Sequence, residues 1–354
     1  MSRSFATAAA LVLCALIMSA DAHARSPQGN RLVASSAAKR LTPATRQDDT
    51  CVRAQIPHVE ERLALAGVRL AASVNRSLAS AAATQQQTPA DWIEPFPPFR
   101  IADNLYYVGS KGLANYLITT PRGHILINSD LEENVPLIRA SIEKLGFKFS
   151  DVKILLINQS HWDHAAGSAA IKKLTGARYM VMDADAPVVQ SGGKIDFHYG
   201  GDASTHYPPT TVDRILRDGD SVTLGDVVLT AHLTPGHTKG CTTWTMQVKV
   251  AGKSRNVVII GGTAVNSGFK LFNNVQYPNI LKDYERTFAV LKSLPCDIPL
   301  GAHGSYYDLD AKYLKHRQGD AAAFIDPDGY KKAVASAEKD FLTELAKQKA
   351  LQAR

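Results

Sequence analysis

Apolar positions recur every second residue in some stretches of the chain and every third or fourth in others, which separates strands from helices. After residue 90, short alternating or continuous apolar runs predict strands over Leu105–Gly109, Ala114–Thr119, His124–Asn128, Ile154–Ile157 and Arg178–Met182. A second set follows at Arg214–Leu216, Ser221–Leu224, Val227–Leu233, Thr242–Val250 and Asn256–Ile260. Helical spacing predicts helices over Val135–Leu145 and Ala169–Leu174, stopped by Gly146 and Gly176, and over Ile280–Leu294, Ala311–Gln318 and Pro327–Leu351. A loop rich in Gly and Pro, Ser191–Pro209, separates the two sets. Two groups of strands with helices between and after them predict a mixed α/β fold.

Upstream of residue 90 the pattern changes. Met1-Ser2-Arg3, the apolar stretch Phe5–Met18 and Ala22-His23-Ala24 fit a secretory signal cleaved after Ala24, so the expected destination is the periplasm or beyond. From residue 25 the chain is rich in Ser, Ala and Arg, a composition expected to stay disordered to about Thr50. Val59, Leu63, Ala66, Leu70, Val74 and Leu78 then form one helical stripe over His58–Ser80, with Arg62, Arg69 and Arg76 on another. That stripe reads as a solvated helix, or alternatively as a contact for anionic lipid or a partner subunit. Gln85–Pro89 reads as a linker. The chain is therefore divided into a signal peptide (1–24), a basic low-complexity extension (25–90) and one domain (91–354).

Charge sharpens this division. The formal net charge is +7, yet residues 25–88 alone carry nine Lys and Arg against four Asp and Glu, whereas the remainder beyond them holds 30 against 28. The basic balance belongs to the extension, and nucleic-acid binding by the domain is not supported. A mean hydropathy of −0.13, with no long apolar span after the N-terminus, argues against a polytopic membrane protein.

The chemistry concentrates where the run Ile154–Ile157 opens into Gln159-Ser160-His161-Trp162-Asp163-His164. Two imidazoles and a carboxylate within four positions are the donors a divalent metal site requires. Strand-like alternation would point 161 and 163 one way and 164 the other, an arrangement able to serve two adjacent ions. Two further histidines sit in glycine-containing loops just past strands: His237 in Thr234-Pro235-Gly236-His237-Thr238-Lys239-Gly240, and His303 in Leu300-Gly301-Ala302-His303-Gly304. Glycine lets backbone approach an ion closely there. His58, His198, His206, His232 and His316 lack such settings and read as ordinary surface or core residues.

The order strand, His-x-Asp-His, Pro-Gly-His-Thr, Gly-Ala-His resembles the metallo-β-lactamase superfamily. Ser191-Gly192-Gly193, the run Pro235–Trp244 and Gly301–Tyr306 resemble its subclass B3, and the likeness runs from about Trp92 to the C-terminus. Gln159 stands where the family pattern His-x-His-x-Asp-His has its first histidine, which is similar to the GOB-type branch of B3. The resemblance implies a four-layer αββα sandwich and a zinc hydrolase that opens β-lactam rings with zinc-bound hydroxide, with Asp163 as the catalytic carboxylate. It implies one zinc on Gln159, His161 and His237 and a second on Asp163, His164 and His303. A glutamine amide is a weaker donor than imidazole, so the Gln159 site is expected to hold zinc less tightly. Thr263, Val265 and Phe269 fall where the family contacts substrate. Lactone, thioester or phosphodiester hydrolysis on the same fold, or a non-catalytic zinc-binding homologue, are the alternatives. Cys51, Cys241 and Cys296 give the mature chain an odd number of thiols, and Cys241, four residues past His237, is expected to pack beneath that loop.

Overall fold

The computed structural model describes residues 88–352, within the compact unit Ser80–Arg354. The expected signal peptide, the segment to Thr50, Cys51 and the expected stripe over His58–Ser80 lie outside the described residues. Among these residues, β1 (Phe99–Ala102), β2 (Leu105–Tyr107), β3 (Tyr116–Thr120), β4 (Gly123–Ile127), β5 (Val152–Leu156), β6 (Arg178–Met182) and β7 (Arg214–Leu216) form one sheet in sequence order. A second sheet runs β12-β11-β10-β9-β8, with β8 at Ser221–Leu224, β9 at Val227–Leu233, β10 at Thr242–Val250, β11 at Lys253–Ile260 and β12 at Ile298–Gly301. The helices are α1 (Ala90–Ile93), α2 (Val135–Lys144), α3 (Trp162–Ala165), α4 (Ser168–Thr175), α5 (Ala186–Ser191), α6 (Ile280–Ser293), α7 (Leu309–Arg317) and α8 (Pro327–Gln352).

Strand alternation decides the layering. In β5, Ile154 and Leu156 face the second sheet, joining Trp244, Met246 and Val248 of β10 and Val257 and Ile259 of β11 in the core between sheets. Leu155, and Ile157 just beyond the strand, face the other way onto Ile138 and Ile142 of α2 and Ile171 of α4. In β11 the alternate residues Val258 and Ile260 turn outward to Tyr284, Phe288 and Leu291 of α6 and Phe341 and Leu345 of α8. The result is helix, sheet, sheet, helix: the αββα sandwich. Burying each Leu, Ile or Val contributes roughly 1.5–3 kcal/mol, and that apolar stock allows the scaffold to carry a buried polar cluster that costs stability.

The structure departs from the sequence pattern in several places, adding the short helices α1 and α5 among others. β1 forms despite the prolines at 95, 97 and 98, because Phe99 pairs with Tyr107 of β2 beyond the last of them. β11 begins three residues early, at Lys253, since the turn residues Ala251 (φ 48°) and Gly252 (φ 78°) make a tight two-residue connection that starts pairing at Val250–Lys253. Trp162–Ala165, expected as loop, is a helical turn.

The strand ends that carry the polar loops are fastened by a buried pair of asparagines. Asn128, just past β4, has φ 69° and donates from Nδ2 to the Ala114 carbonyl (3.0 Å) and to Asn158 Oδ1 (2.9 Å). Asn158, just past β5, returns its backbone N–H to Asn128 Oδ1 (2.9 Å) and donates from Nδ2 to the Thr242 carbonyl of β10 (2.9 Å). The two sheets are thus pinned together directly beneath the metal motif.

Candidate metal centre

His161 closes the extended segment after β5 with φ −67° and ψ 157°, and the helical turn of α3 starts at the next residue. That turn overrides alternation and corrects the expected grouping of 161 with 163. Asp163 and His164 instead converge on His303, while His161 turns to His237. Asp163 Oδ2 lies 3.2 Å from His164 Nε2 and 3.5 Å from His303 Nε2, and the two imidazole nitrogens are 3.1 Å apart. His303 follows β12, and its loop is tied to Leu113 by a β-bridge. The rings of Trp92 and Tyr306 flank it at 5.9 and 5.2 Å.

These three side chains fit a divalent cation. Three donor atoms lie within 4.8 Å of one another, two residues buried and one partly open. His164 Nδ1 is buried without a hydrogen-bond partner. A buried carboxylate costs several kcal/mol unless it is paired, and here its oxygen and two imidazole nitrogens, all within 3.5 Å of one another, are the donor types a shared cation takes. Burial opposes ionisation of Asp163, yet the His164 and His303 rings hold its carboxyl well below the usual carboxylate range. Burial lowers the pKa of His164. Both side chains are therefore already in their ligating forms, and three protein donors with one open side suit a catalytic zinc site.

The second grouping is looser. His161 and His237 meet with ring centroids 4.8 Å apart. His237 Nδ1 is hydrogen-bonded to the Ala264 carbonyl at 2.8 Å, which leaves Nε2 for the cleft. Tyr284 donates to that same carbonyl at 2.7 Å. Burial, helped by the facing His161, pushes His237 down to about 3. Gly262 packs against the His237 ring so closely that a Cβ there would lie 2.6 Å from it. Gln159 is buried beside them, but its amide oxygen is engaged by the His161 backbone N–H at 3.1 Å. One of its lone pairs is thus already spent within the loop.

Two carboxylates that the sequence pattern did not single out hold these loops. Asp185, before α5, accepts from the Ser160 N–H (3.0 Å), the Thr238 hydroxyl (2.7 Å) and the Gly240 N–H (2.8 Å). It clips the motif loop to the Pro-Gly-His loop, and burial pushes its pKa up to about 6. Asp196 lies across from His161, with Oδ2 3.6 Å from Nε2. Burial disfavours a charged His161, but the Asp196 carboxylate outweighs it and raises the ring's pKa. The loop carrying Asp196 is set by Gly192 and Gly193, whose φ values of 68° and 81° suit glycine, and by Tyr207, which donates to the Ser160 carbonyl at 2.5 Å.

Of the three expected substrate contacts, two line an open cavity and one does not. Thr263 and Val265 border a space of about 560 Å³ together with Ser305, Tyr306 and the α8 residues Asp340 and Phe341. Phe269 does not border that cavity: its ring is buried, packed on Phe197 (4.9 Å) and His198 (4.7 Å) of the loop after α5, with its centroid 6.2 Å from that of the His237 ring. Cys241 is buried beneath the His237 loop, its Sγ 3.7 Å from the Gly262 carbonyl. Burial pushes its thiol up to about 12, the state of an inert packing residue. Among the described residues Cys296 likewise has no disulfide partner.

Comparison with known proteins follows the same lines. Residues 114–250 match the model of the metallo-beta-lactamase superfamily. The native FEZ-1 metallo-β-lactamase from Legionella gormanii is 58% identical, covering 74% of this chain and 99% of that one, with a TM-score of 0.73. BJP-1, a subclass B3 metallo-β-lactamase of Bradyrhizobium japonicum, is 38% identical over 74% and 98% of the two chains, with a TM-score of 0.70. The metallo-β-lactamase GOB-18 from Elizabethkingia meningoseptica is 38% identical over 74% and 97%, with a TM-score of 0.70. A hydroxyacylglutathione hydrolase of Rhodopseudomonas palustris is 30% identical over 124 residues, and that match spans 39% of the hydrolase and 35% of this chain.

Proposed function

We propose that this chain, which belongs to the metallo-β-lactamase superfamily, is a zinc-dependent hydrolase that opens the ring of β-lactam antibiotics. The observation that carries the reading is the convergence of Asp163, His164 and His303 on one point, beside a cleft bordered by His161 and His237. Asp163, His164 and His303 would hold one ion and Gln159, His161 and His237 the other. Bound zinc supplies an acidified water at neutral pH and a charge that polarises the amide carbonyl. The side chains do the rest. Asp163 would orient the attacking water, take its proton as the C–O bond forms and return it to the ring nitrogen as the C–N bond breaks. His237, fixed through Nδ1 by the Ala264 carbonyl, keeps one face of the cleft rigid. The Thr263 hydroxyl, at the rim of the adjoining cavity, offers a donor to the substrate carboxylate. High identity across nearly the full length of the FEZ-1 enzyme supports a β-lactam over other substrates of the fold.

The test is hydrolysis of a chromogenic cephalosporin by the purified protein, with and without a chelator. Turnover that disappears with chelator and returns with zinc is expected. Turnover of lactones or thioesters alone would favour the second reading, which the partial likeness to a hydroxyacylglutathione hydrolase supports. No turnover of either class would leave a non-catalytic zinc-binding protein.

Export is part of the same proposal. An n-region with Arg3, the apolar run to Met18 and Ala22-His23-Ala24 support cleavage after Ala24 and action in the periplasm or outside the cell. N-terminal sequencing of protein recovered from that compartment is expected to begin at Arg25, and a mature protein still starting at Met1 would refute it.

A further inference from the structure

We infer that Asp196 is a positioning residue for the weaker metal site: it fixes the ring of His161 and strengthens it as a donor, offsetting the neutral amide at Gln159. The inference rests on the two-metal reading above. His161 Nε2 is buried with no hydrogen-bond partner, and the carboxylate oxygen facing it is Asp196 Oδ2 at 3.6 Å. The other oxygen of Asp196 is already committed, accepting the backbone N–H groups of His198 (2.8 Å) and Tyr199 (2.7 Å). The carboxylate is therefore locked on the loop side and aimed at the imidazole on the other. Both side chains are buried, at 4% exposure each, so water competes little for either.

A neutral imidazole carries one N–H. With that proton on Nε2 and directed at Asp196, the lone pair of His161 sits on Nδ1, the nitrogen left for the cleft. A carboxylate behind a ligand histidine fixes the tautomer and raises ligand basicity. The partner of His237 is an uncharged carbonyl, so within the Gln159, His161 and His237 group the charged support comes from Asp196 alone among the contacts described. A separation of 3.6 Å exceeds hydrogen-bond range, and contacts of this type tighten when a site is loaded.

The decisive variant is Asp196→Asn. It keeps Oδ1 for the two loop N–H groups and replaces the oxygen facing His161 with an amide NH₂. Metal-free full-length protein is titrated with zinc, and in parallel with cobalt to read the visible spectrum of each site. The second, weaker equivalent is expected to loosen by about 10–100-fold, while the first equivalent and the melting temperature of the metal-free protein stay as in the parent. ¹⁵N-histidine spectra of the metal-free parent at alkaline pH should show His161 as the Nε2–H tautomer. An unchanged second equivalent overturns the inference. So does a variant in which both equivalents and the metal-free melting temperature fall together, since that marks a loop anchor only. A parent protein that accepts a single equivalent at every zinc concentration would instead sink the two-metal reading, and this inference with it.

Discussion

Replacing Asp163 with alanine is expected to cut kcat/KM for a chromogenic cephalosporin by about 10²–10⁴-fold, the range assigned to a positioned proton-transfer group. Two losses combine. The carboxylate that lies 3.2 and 3.5 Å from the His164 and His303 nitrogens disappears, leaving those nitrogens 3.1 Å apart with no anion between them. The proton acceptor for the attacking water goes with it. Metal content measured on the same preparation separates the two: at saturating zinc, restored occupancy with turnover still depressed isolates the proton-transfer share. Asp163→Asn, which keeps shape without charge, should fall on the same side. A loss smaller than tenfold in the alanine variant would remove Asp163 from the centre of the mechanism.

The sequence displayed this carboxylate because its neighbours in the chain are its neighbours in space. Asp163 and His164 are adjacent, and His237 and His303 each follow a strand in a glycine loop, so local pattern sufficed to single them out. The sheet order was less visible. Continuous apolar runs in β5 and β11 announce strands buried on two faces, but the four-layer stacking entered through family resemblance, since such a run does not say which sheet a strand joins. The supporting carboxylates were hidden for a different reason. Asp185 precedes Ala186-Pro187 and by local rules reads as a helix cap, yet its side chain makes no cap bond and spans to Ser160, Thr238 and Gly240 instead. Asp196 shows half its role locally, as a turn residue accepting from positions two and three ahead, whereas its other oxygen serves a histidine 35 residues earlier. The error over which way 161, 163 and 164 point had a local cause too. A helical turn of four residues is too short to show a period.

Lowering the pH is expected to empty the Gln159, His161 and His237 site before the other. The sign follows from which ligand must lose a proton. In the metal-free protein Asp163 is held well below the carboxylate range by its histidine neighbours, and burial lowers His164, so a cation arriving there displaces no proton from either near neutrality. Nor does His237, at about 3. Of these four side chains His161 alone has its proton affinity raised: burial lowers it, but Asp196 raises it further, above the ordinary histidine value. Below that raised value each cation bound at this site must expel one proton. Its affinity then falls about tenfold per pH unit, or roughly a hundredfold over two units. Above it the penalty vanishes. The same carboxylate that makes His161 a better metal donor therefore makes it a better proton acceptor, and which one wins is set by pH. Zinc stoichiometry after dialysis at a series of pH values against fixed free zinc measures this directly, with the second equivalent leaving at higher pH than the first. In Asp196→Asn the proton competition weakens along with the donor strength, so its second equivalent should depend less steeply on pH. Parallel loss of both equivalents in the parent protein would show that His161 is not the titrating gate.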